Sequence, residues 1–143
     1  MERGSLEKEI HIAASPAVVY EVISRPEHIR QWWTEQVDFV PTPGRAGRLF
    51  VPMTVVEAIP GQRFVFRWDY PQGEAPTPQN SMLVTFQLTP EGDGTRLKVV
   101  EDGFRERGWE AAVLEEEYYR SHDRGWDEHL ADLATYAAAL ATR

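Results

Sequence analysis

Several segments of the chain alternate between apolar and polar residues, and a period of two is typical of half-buried β-strands. Near the N-terminus, Leu6, Ile10 and Ile12 alternate with charged or polar neighbours, although Lys8 falls on the apolar side of the pattern. This segment therefore predicts a first strand that buries one face.

A helical spacing follows the first predicted strand. Ser15 is a favoured N-cap residue and Pro16 a favoured first residue of a helix, and apolar residues recur at helical spacing from 18 to 23. Pro26 ends this short amphipathic helix and begins a further turn or two, whose apolar side includes Trp33.

The middle of the chain predicts strands joined by loops. Val37–Val40 is a short candidate strand, and Arg48–Ile59 is a longer one in which Pro52 indicates a sheet edge or a bulge. The segments 41–47 and 71–79 are rich in proline and glycine and are expected to be loops.

The clearest alternation lies in residues 63–70, where the rings are expected to share one face of a strand. These rings belong to Phe64, Phe66, Trp68 and Tyr70. Residues 82–88 alternate in the same way, and Glu91–Gly94 predicts a hairpin turn into a returning strand. Sequential hairpins indicate an antiparallel sheet.

The C-terminal part predicts a long amphipathic helix from about Glu106 to Thr142, with a break near Gly125. Its apolar residues recur at steps of four, three, four and three, and they are Trp126, Leu130, Leu133, Ala137 and Leu140.

Together these elements predict an α+β domain in which a curved antiparallel sheet of about six strands wraps around the long C-terminal helix. A sheet with one apolar face needs a cover, and the last helix is the only long apolar one. The two short helices would close one end. We expect residues 1–143 to form a single domain, with residues 1–5 as a flexible tail.

Composition excludes several classes of function. With 15 basic and 23 acidic residues the net charge is −8, which disfavours nucleic acids and anionic membranes as partners. The absence of cysteine excludes disulfides and cysteine-ligated zinc. Neither a signal-peptide core nor an apolar run of about 18 residues occurs. We therefore expect a cytoplasmic protein without a membrane span.

An excess of aromatic residues on the inner side of the sheet predicts a cavity between the sheet and the long helix. Trp and Tyr carry polar atoms that need partners, which a partly polar ligand could supply. For each ring alone, ordinary core packing is the stronger interpretation. The candidate cavity residues are Trp33, Met53, Phe64, Phe66, Trp68, Met82, Val84, Phe86, Glu101, Phe104, Trp126, His129, Leu130 and Leu133.

Glu101 follows Leu97 and Val99 on the same side of the last predicted strand, so its carboxylate is expected to point inward. A buried carboxylate is costly without partners. The favoured interpretation is a structural pair with an arginine or an indole N–H, and the alternatives are a polar anchor for a ligand or a proton-transferring acid.

Motifs for catalysis and metal binding are absent. His122 and His129 share a helix face, but they lack the His-Glu-x-x-His spacing of helical metal sites. Both are interpreted as ordinary helix residues, with a cavity-facing His129 as the less favoured alternative. We therefore predict no catalytic residue, metal or cofactor, and we favour a binding protein over an enzyme.

A series of short motifs runs in order from about Leu6 to Leu140. The motifs are Glu9-x-x-Ile12-x-Ala14-x-Pro16-x-x-Val19, Pro26 with Trp32-Trp33, Val56-Glu57-x-x-Pro60, Phe64-x-Phe66-x-Trp68, Thr85-Phe86-x-Leu88, Gly94-Thr95-Arg96-Leu97, Glu101-x-Gly103-Phe104 and Gly125-Trp126-x-x-x-Leu130-x-x-Leu133. This series resembles the SRPBCC superfamily of START-like, birch-pollen-allergen-like domains. Within it, the chain is similar to bacterial relatives of the heat-shock protein 90 ATPase activator.

The resemblance implies a helix-grip fold with a hydrophobic pocket and no shared catalytic residues. The leading hypothesis is a carrier or sensor of a small hydrophobic or amphipathic molecule, with a role in stress responses as one option. Two alternatives stay open: a co-chaperone that activates heat-shock protein 90, by fold-level analogy alone, and a cyclase- or hydratase-like enzyme. The expected partners are the small molecule and a possible chaperone, for a monomer or a homodimer.

Overall fold

A computed structural model describes residues 5–103 and 112–142, with side chains over 5–103 and 120–142. Phe104, one of the candidate cavity residues, lies outside the described residues. The elements are β1 (Ser5–Ile12), α1 (Pro16–Ser24), α2 (Pro26–Trp32), β2 (Val37–Asp38), β3 (Ala46–Leu49), β4 (Val51–Ile59), β5 (Arg63–Trp68), β6 (Met82–Glu91), β7 (Gly94–Asp102) and α3 (Ala112–Ala141).

The strands form one antiparallel sheet in the order β1-β7-β6-β5-β4-β3-β2. The α+β class, the long C-terminal helix and the two short helices after the first strand are confirmed. In the described residues the sheet has seven strands, where about six were expected.

The prediction of a single strand over Arg48–Ile59 is wrong, because a tight turn divides it into β3 and β4. Phe50 occupies this turn with a φ of 67°, and Leu49 pairs directly with Val51 across it. This left-handed residue reverses the chain and adds the further strand to the sheet.

Pro52 lies neither on an edge strand nor at a bulge, contrary to the prediction. It is the second residue of β4, an inner strand, and the bulge lies further along, between Val55 and Glu57. The Pro52 carbonyl accepts a hydrogen bond from the N–H of Asp69, which follows the last residue of β5, at 3.1 Å. Proline has no N–H to donate, and at this position an N–H would point toward β5. Because the pairing of β4 with β5 ends here, the sheet loses little hydrogen bonding.

The helix α3 covers the concave face of the sheet. Trp126, Leu130 and Leu133 are 2%, 3% and 0% exposed, which confirms the predicted apolar stripe. The break expected near Gly125 is wrong, because α3 runs without interruption from Ala112 to Ala141. One glycine inside a helix costs about 1 kcal/mol relative to alanine, and burial of the flanking turns offsets this.

The two short helices begin as predicted. The Ser15 hydroxyl accepts a hydrogen bond from the Val18 N–H at 3.3 Å, and Pro16 is the first residue of α1. The indole N–H of Trp32 donates to the Val22 carbonyl at 2.9 Å, which ties α2 to α1. Both helices contact α3 and close one end of the sheet.

The strand β1 is joined to α3 by a charged side chain on its inner face. Lys8 lies 2.7 Å from an Asp123 oxygen and 3.0 Å from an Asp127 oxygen. This contact explains why a lysine occurs in the apolar pattern. Ser5, expected in a flexible tail, is instead the first residue of β1 and pairs with Asp102.

Tyr70 does not continue the row of inward rings on β5. Asp69 has a φ of 63°, which ends the alternation, and the Tyr70 hydroxyl lies 2.6 Å from Thr54 Oγ1. Thr54 stands between Met53 and Val55, which face the core. Tyr70 therefore packs on the opposite face of the sheet.

Candidate ligand-binding site

A cavity of about 290 Å³ lies between α3, the end of β5 and the β3–β4 turn. The lining residues are Trp33, Phe50, Val51, Trp68, Asp69, Ser121, His122, Gly125, Trp126 and His129. Phe50, one of these lining residues, is 56% exposed. This volume lies near the lower limit of small-molecule sites, which span about 300–1,000 Å³.

Three tryptophans from separate elements form the apolar wall of the cavity. The ring of Trp33, directly after α2, lies 5.4 Å from Trp68 on β5 and 5.3 Å from Trp126 on α3, edge to face in both cases. The rings of Trp68 and Trp126 are 6.2 Å apart. Aromatic pairs attract one another at such separations, so the three rings stabilise one another's positions.

Behind this wall lies the carboxylate of Glu101, which is completely buried. Oε2 accepts the indole N–H of Trp68 at 2.9 Å, and Oε1 accepts that of Trp126 at 2.9 Å. Nδ1 of His122 lies 2.6 Å from Oε1. These contacts replace the lost hydration of the carboxylate, and they confirm the predicted indole pairing.

The contacts of Glu101 assign the tautomer of His122. Oε1 already accepts the N–H of Trp126, so Nδ1 of His122 is assigned as a second donor to the same oxygen. In the neutral imidazole, the other ring nitrogen, Nε2, is then an acceptor. The carboxylate therefore fixes the orientation of a ring that lines the cavity.

Two residues with an unusual backbone conformation line the cavity. Among the described residues, Phe50 and Asp69 are the non-glycine residues with positive φ, at 67° and 63°, and both line the cavity. Bulky residues rarely adopt this region. Strained positions of this kind concentrate at binding and active sites, so this coincidence supports a functional cavity.

Gly125 shapes the helical side of the cavity. Among the described residues, no packing partner lies within 4 Å of a Cβ added here. Because Gly125 also lines the cavity, a larger side chain would occupy part of that space. The glycine keeps this space open at the expense of helix propensity.

His129 lies against the tryptophan wall, with its ring 5.1 Å from that of Trp33. Burial lowers its pKa below the ordinary value of 6.5, and the carboxylates of Asp132 and Glu128 oppose this shift. The imidazole is therefore neutral at neutral pH and carries one N–H donor and one acceptor.

The lowered pKa of His129 predicts a pH-dependent loss of stability. The unfolded chain binds the proton more tightly than the folded one, so this contribution is present above pH 6.5 and is lost as the pH falls below it. Urea unfolding of the protein and of His129→Gln from about pH 8 to about pH 5 should show the wild type losing more stability. A constant difference between the two proteins across this range would contradict the prediction.

The predicted cavity residues separate into a wall, a polar support and a packed core. Trp33, Trp68, Trp126 and His129 line the cavity, and Glu101 lies behind them. The remaining described candidates pack in the core, and they are Met53, Phe64, Phe66, Met82, Val84, Phe86, Leu130 and Leu133. Their rings contact one another and fill the centre of the concave face, so the cavity occupies one end of it.

Sequence reasoning did not identify six of the lining residues as cavity residues. They are Phe50, Val51, Asp69, Ser121, His122 and Gly125. A usable signal existed for His122, because it precedes Trp126 by four residues and His129 by seven, which places all three on one helix face. No comparable signal marked Phe50 and Asp69, whose positions depend on their unusual backbone angles.

The described residues contain no group of three or more His, Cys, Asp or Glu side chains arranged to hold a metal ion. None of the helices there combines the length and the apolar character that crossing a membrane requires.

Several solved structures share this fold. A protein from Mesorhizobium loti is 21% identical with a TM-score of 0.74, over 92% of this chain and 95% of its own. The Aha1 dimer from Colwellia psychrerythraea is 18% identical with a TM-score of 0.73, over 91% and 92%. CalU16 from Micromonospora echinospora is 18% identical with a TM-score of 0.71, over 94% and 76%. At these identities the likeness concerns the fold alone.

Family membership follows from the sequence itself. No curated protein matches the chain, but residues 13–138 match the family described as "Activator of Hsp90 ATPase homolog 1-like protein". Because this match spans most of the chain and agrees with the sheet-and-helix architecture, the protein belongs to the Hsp90 ATPase activator homologue 1-like family of helix-grip SRPBCC proteins.

Proposed function

We propose that the protein binds a small, flat, amphipathic molecule in the cavity beside α3, as a carrier or sensor. The observation that carries this proposal is the convergence of Trp33, Trp68 and Trp126 on one open cavity that also has polar groups. Tryptophan faces hold flat rings, while the neutral ring of His129 can exchange hydrogen bonds with a polar substituent.

The size and the charge of the cavity narrow the class of ligand. About 290 Å³ suits a molecule of one or two fused rings rather than a long acyl chain. The net charge of −8 disfavours a strongly anionic ligand. A neutral aromatic or polycyclic compound with one or two polar groups meets both conditions.

Calorimetric titration with 2-naphthol, a flat ring pair with one hydroxyl, tests this proposal. We expect a dissociation constant below about 1 mM, equivalent to about 4 kcal/mol. Phe50→Gly should weaken binding several-fold by removing the apolar rim, without loss of stability, because glycine tolerates a positive φ. Val56→Ala changes another exposed apolar side chain, 47% exposed, that does not line the cavity, and should leave binding unchanged.

Absence of 2-naphthol binding to the folded wild type would overturn the proposal. Equal loss of affinity in Phe50→Gly and Val56→Ala would place the bound molecule elsewhere on the surface.

The chaperone hypothesis stays a prediction. It rests on the family description, which names activation of the Hsp90 ATPase, and fold-level analogy is a weak argument for function. The oligomeric state likewise stays a prediction, although the similar protein from Colwellia psychrerythraea is described as a dimer.

A further inference from the structure

His129 is a half-buried polar side chain on the tryptophan wall. Its ring lies 5.1 Å from that of Trp33 with 39° between the planes, so the imidazole is partly stacked on the indole. In the described part of the chain, no residue forms a hydrogen bond with either ring nitrogen. No buried side-chain nitrogen or oxygen there lacks a partner. The ring nitrogens of His129 are therefore accessible, and the ring lines the cavity.

The charges that act on His129 favour a ligand that donates a hydrogen bond. The carboxylates of Glu128 and Asp132, on the same helix, create a negative potential at the ring. Such a potential attracts the positive end of an O–H or N–H bond and repels the lone pairs of a carbonyl oxygen.

The other charged or titratable groups at the cavity come from three elements. They are Asp69 at the end of β5, His122 on α3 and Glu101 on β7, behind the tryptophans. The remaining described lining residues are uncharged, and none of the described lining residues is a lysine or an arginine. The described lining therefore supplies no cation that would favour an electron-rich substituent beside His129.

The protonation state of His129 decides whether the ring can accept a hydrogen bond. Burial lowers its pKa below the ordinary value of 6.5, against the opposing effect of Asp132 and Glu128. At neutral pH the neutral ring carries one acceptor nitrogen, whereas the imidazolium carries only donors.

We propose that His129 determines the ligand specificity of the cavity by accepting a hydrogen bond from a hydroxyl or N–H group on the bound ring. This inference rests on the proposed binding function and adds the chemical class of the ligand, a fused-ring hydrogen-bond donor such as a phenol. The tryptophans hold any flat ring of suitable size. A binding site built around a hydrogen bond disfavours an analogue that cannot form it, because its own polar group then stays unpaired.

Calorimetric titration with 2-naphthol and 2-tetralone at about pH 7.5 tests this inference, since a phenolic hydroxyl ionises only near about pH 10. Both compounds have two fused six-membered rings. The first carries a hydroxyl donor, and the second carries a carbonyl oxygen on the equivalent carbon. One neutral hydrogen bond corresponds to about 2–13-fold in affinity, so we expect 2-naphthol to bind at least about five-fold more tightly.

Two variants show whether His129 is responsible for this preference. His129→Leu removes the acceptor and keeps the position apolar, so the two affinities should come within about two-fold of each other. His11→Gln provides the control, because His11 is an exposed histidine that does not line the cavity. It should retain the wild-type preference. Urea unfolding checks that both variants are folded.

Proton NMR of the His129 ring gives a second readout that a structural role would not change. A ligand that donates to the ring binds its neutral form more tightly, so saturating 2-naphthol should lower the pKa of His129 further. Because coupling is reciprocal, protonation of His129 weakens 2-naphthol by the same factor. 2-Tetralone, which can only accept, should lower this pKa less than 2-naphthol does.

The outcomes separate this inference from the binding role. If 2-naphthol binds no more tightly than 2-tetralone, or if His129→Leu keeps the wild-type preference, the specificity role is overturned and binding stands. An unchanged or raised pKa of His129 with 2-naphthol bound would also overturn it. If 2-naphthol does not bind, both proposals fail. Should His129→Leu not fold, the two ligands and the NMR titration of the wild type still decide the question.

Discussion

Replacing Glu101 with leucine is expected to lower the free energy of unfolding by about 3 kcal/mol or more. The change removes the acceptor of two indole N–H groups, those of Trp68 and Trp126, whose side chains are 9% and 2% exposed. A buried donor without a partner costs about 1–3 kcal/mol. Both indole donors belong to the same cluster, so the change leaves two buried donors without an acceptor. Their combined cost exceeds the stabilisation that the apolar contacts of leucine would add.

Urea unfolding monitored by tryptophan fluorescence measures this effect. Glu91→Leu provides the control, because Glu91 also contacts a histidine and Arg96 but lies at the surface. Exposed ion pairs contribute about 0–1 kcal/mol, so the control should stay close to the wild type. If Glu101→Leu were equally stable, the indoles would have found water or other acceptors, and the role of Glu101 as the centre of the polar cluster would be refuted.

The elements that sequence predicts well are those whose cause is local. Ser15 and Pro16 begin a helix because a hydroxyl and a fixed φ act within one turn. Glu101 was placed inward by the alternation of Leu97 and Val99 alone, and it is buried. In both cases the decisive neighbours are a few residues away in the chain.

The cavity has a different origin. Trp33, Trp68 and His122 are distant in sequence, and they meet only because α3 crosses the end of β5. The sequence could not distinguish inward rings that line a void from those that fill one, and Phe66 proved to belong to the packed core. The chain reversal at Phe50 could not be predicted from the sequence either. Phenylalanine does not favour a positive φ, so this conformation follows from tertiary contacts.

This contrast explains how a common fold can carry a particular site. The core of the sheet and the stripe on α3 require only apolar residues of suitable size, and many sequences meet that condition. The site depends instead on a few exceptions to the pattern, namely a glycine on a helix, an inward carboxylate and two left-handed residues. Such departures from local preference are expected at functional or strained positions.

Gly125 gives the sharpest test of the cavity, because filling it should abolish binding without unfolding the protein. An added Cβ meets no packing partner within 4 Å in the part of the chain that the structure describes, and Gly125 lines the cavity, so Gly125→Phe can place its ring there. The affinity for 2-naphthol is expected to fall at least about 100-fold, or about 2.7 kcal/mol. Stability should not fall, since phenylalanine has a higher helix propensity than glycine.

Two further variants distinguish the effect of filling the cavity from the effect of stabilising the helix. Gly125→Ala should raise the free energy of unfolding by up to about 1 kcal/mol and retain binding, because a methyl group leaves most of the cavity open. Ala131→Phe adds the same ring to an exposed position of α3 and should bind 2-naphthol like the wild type. Calorimetry and urea unfolding of the three variants measure both quantities. Unchanged affinity in Gly125→Phe would show that the ligand lies elsewhere, because a filled cavity cannot also hold two fused rings.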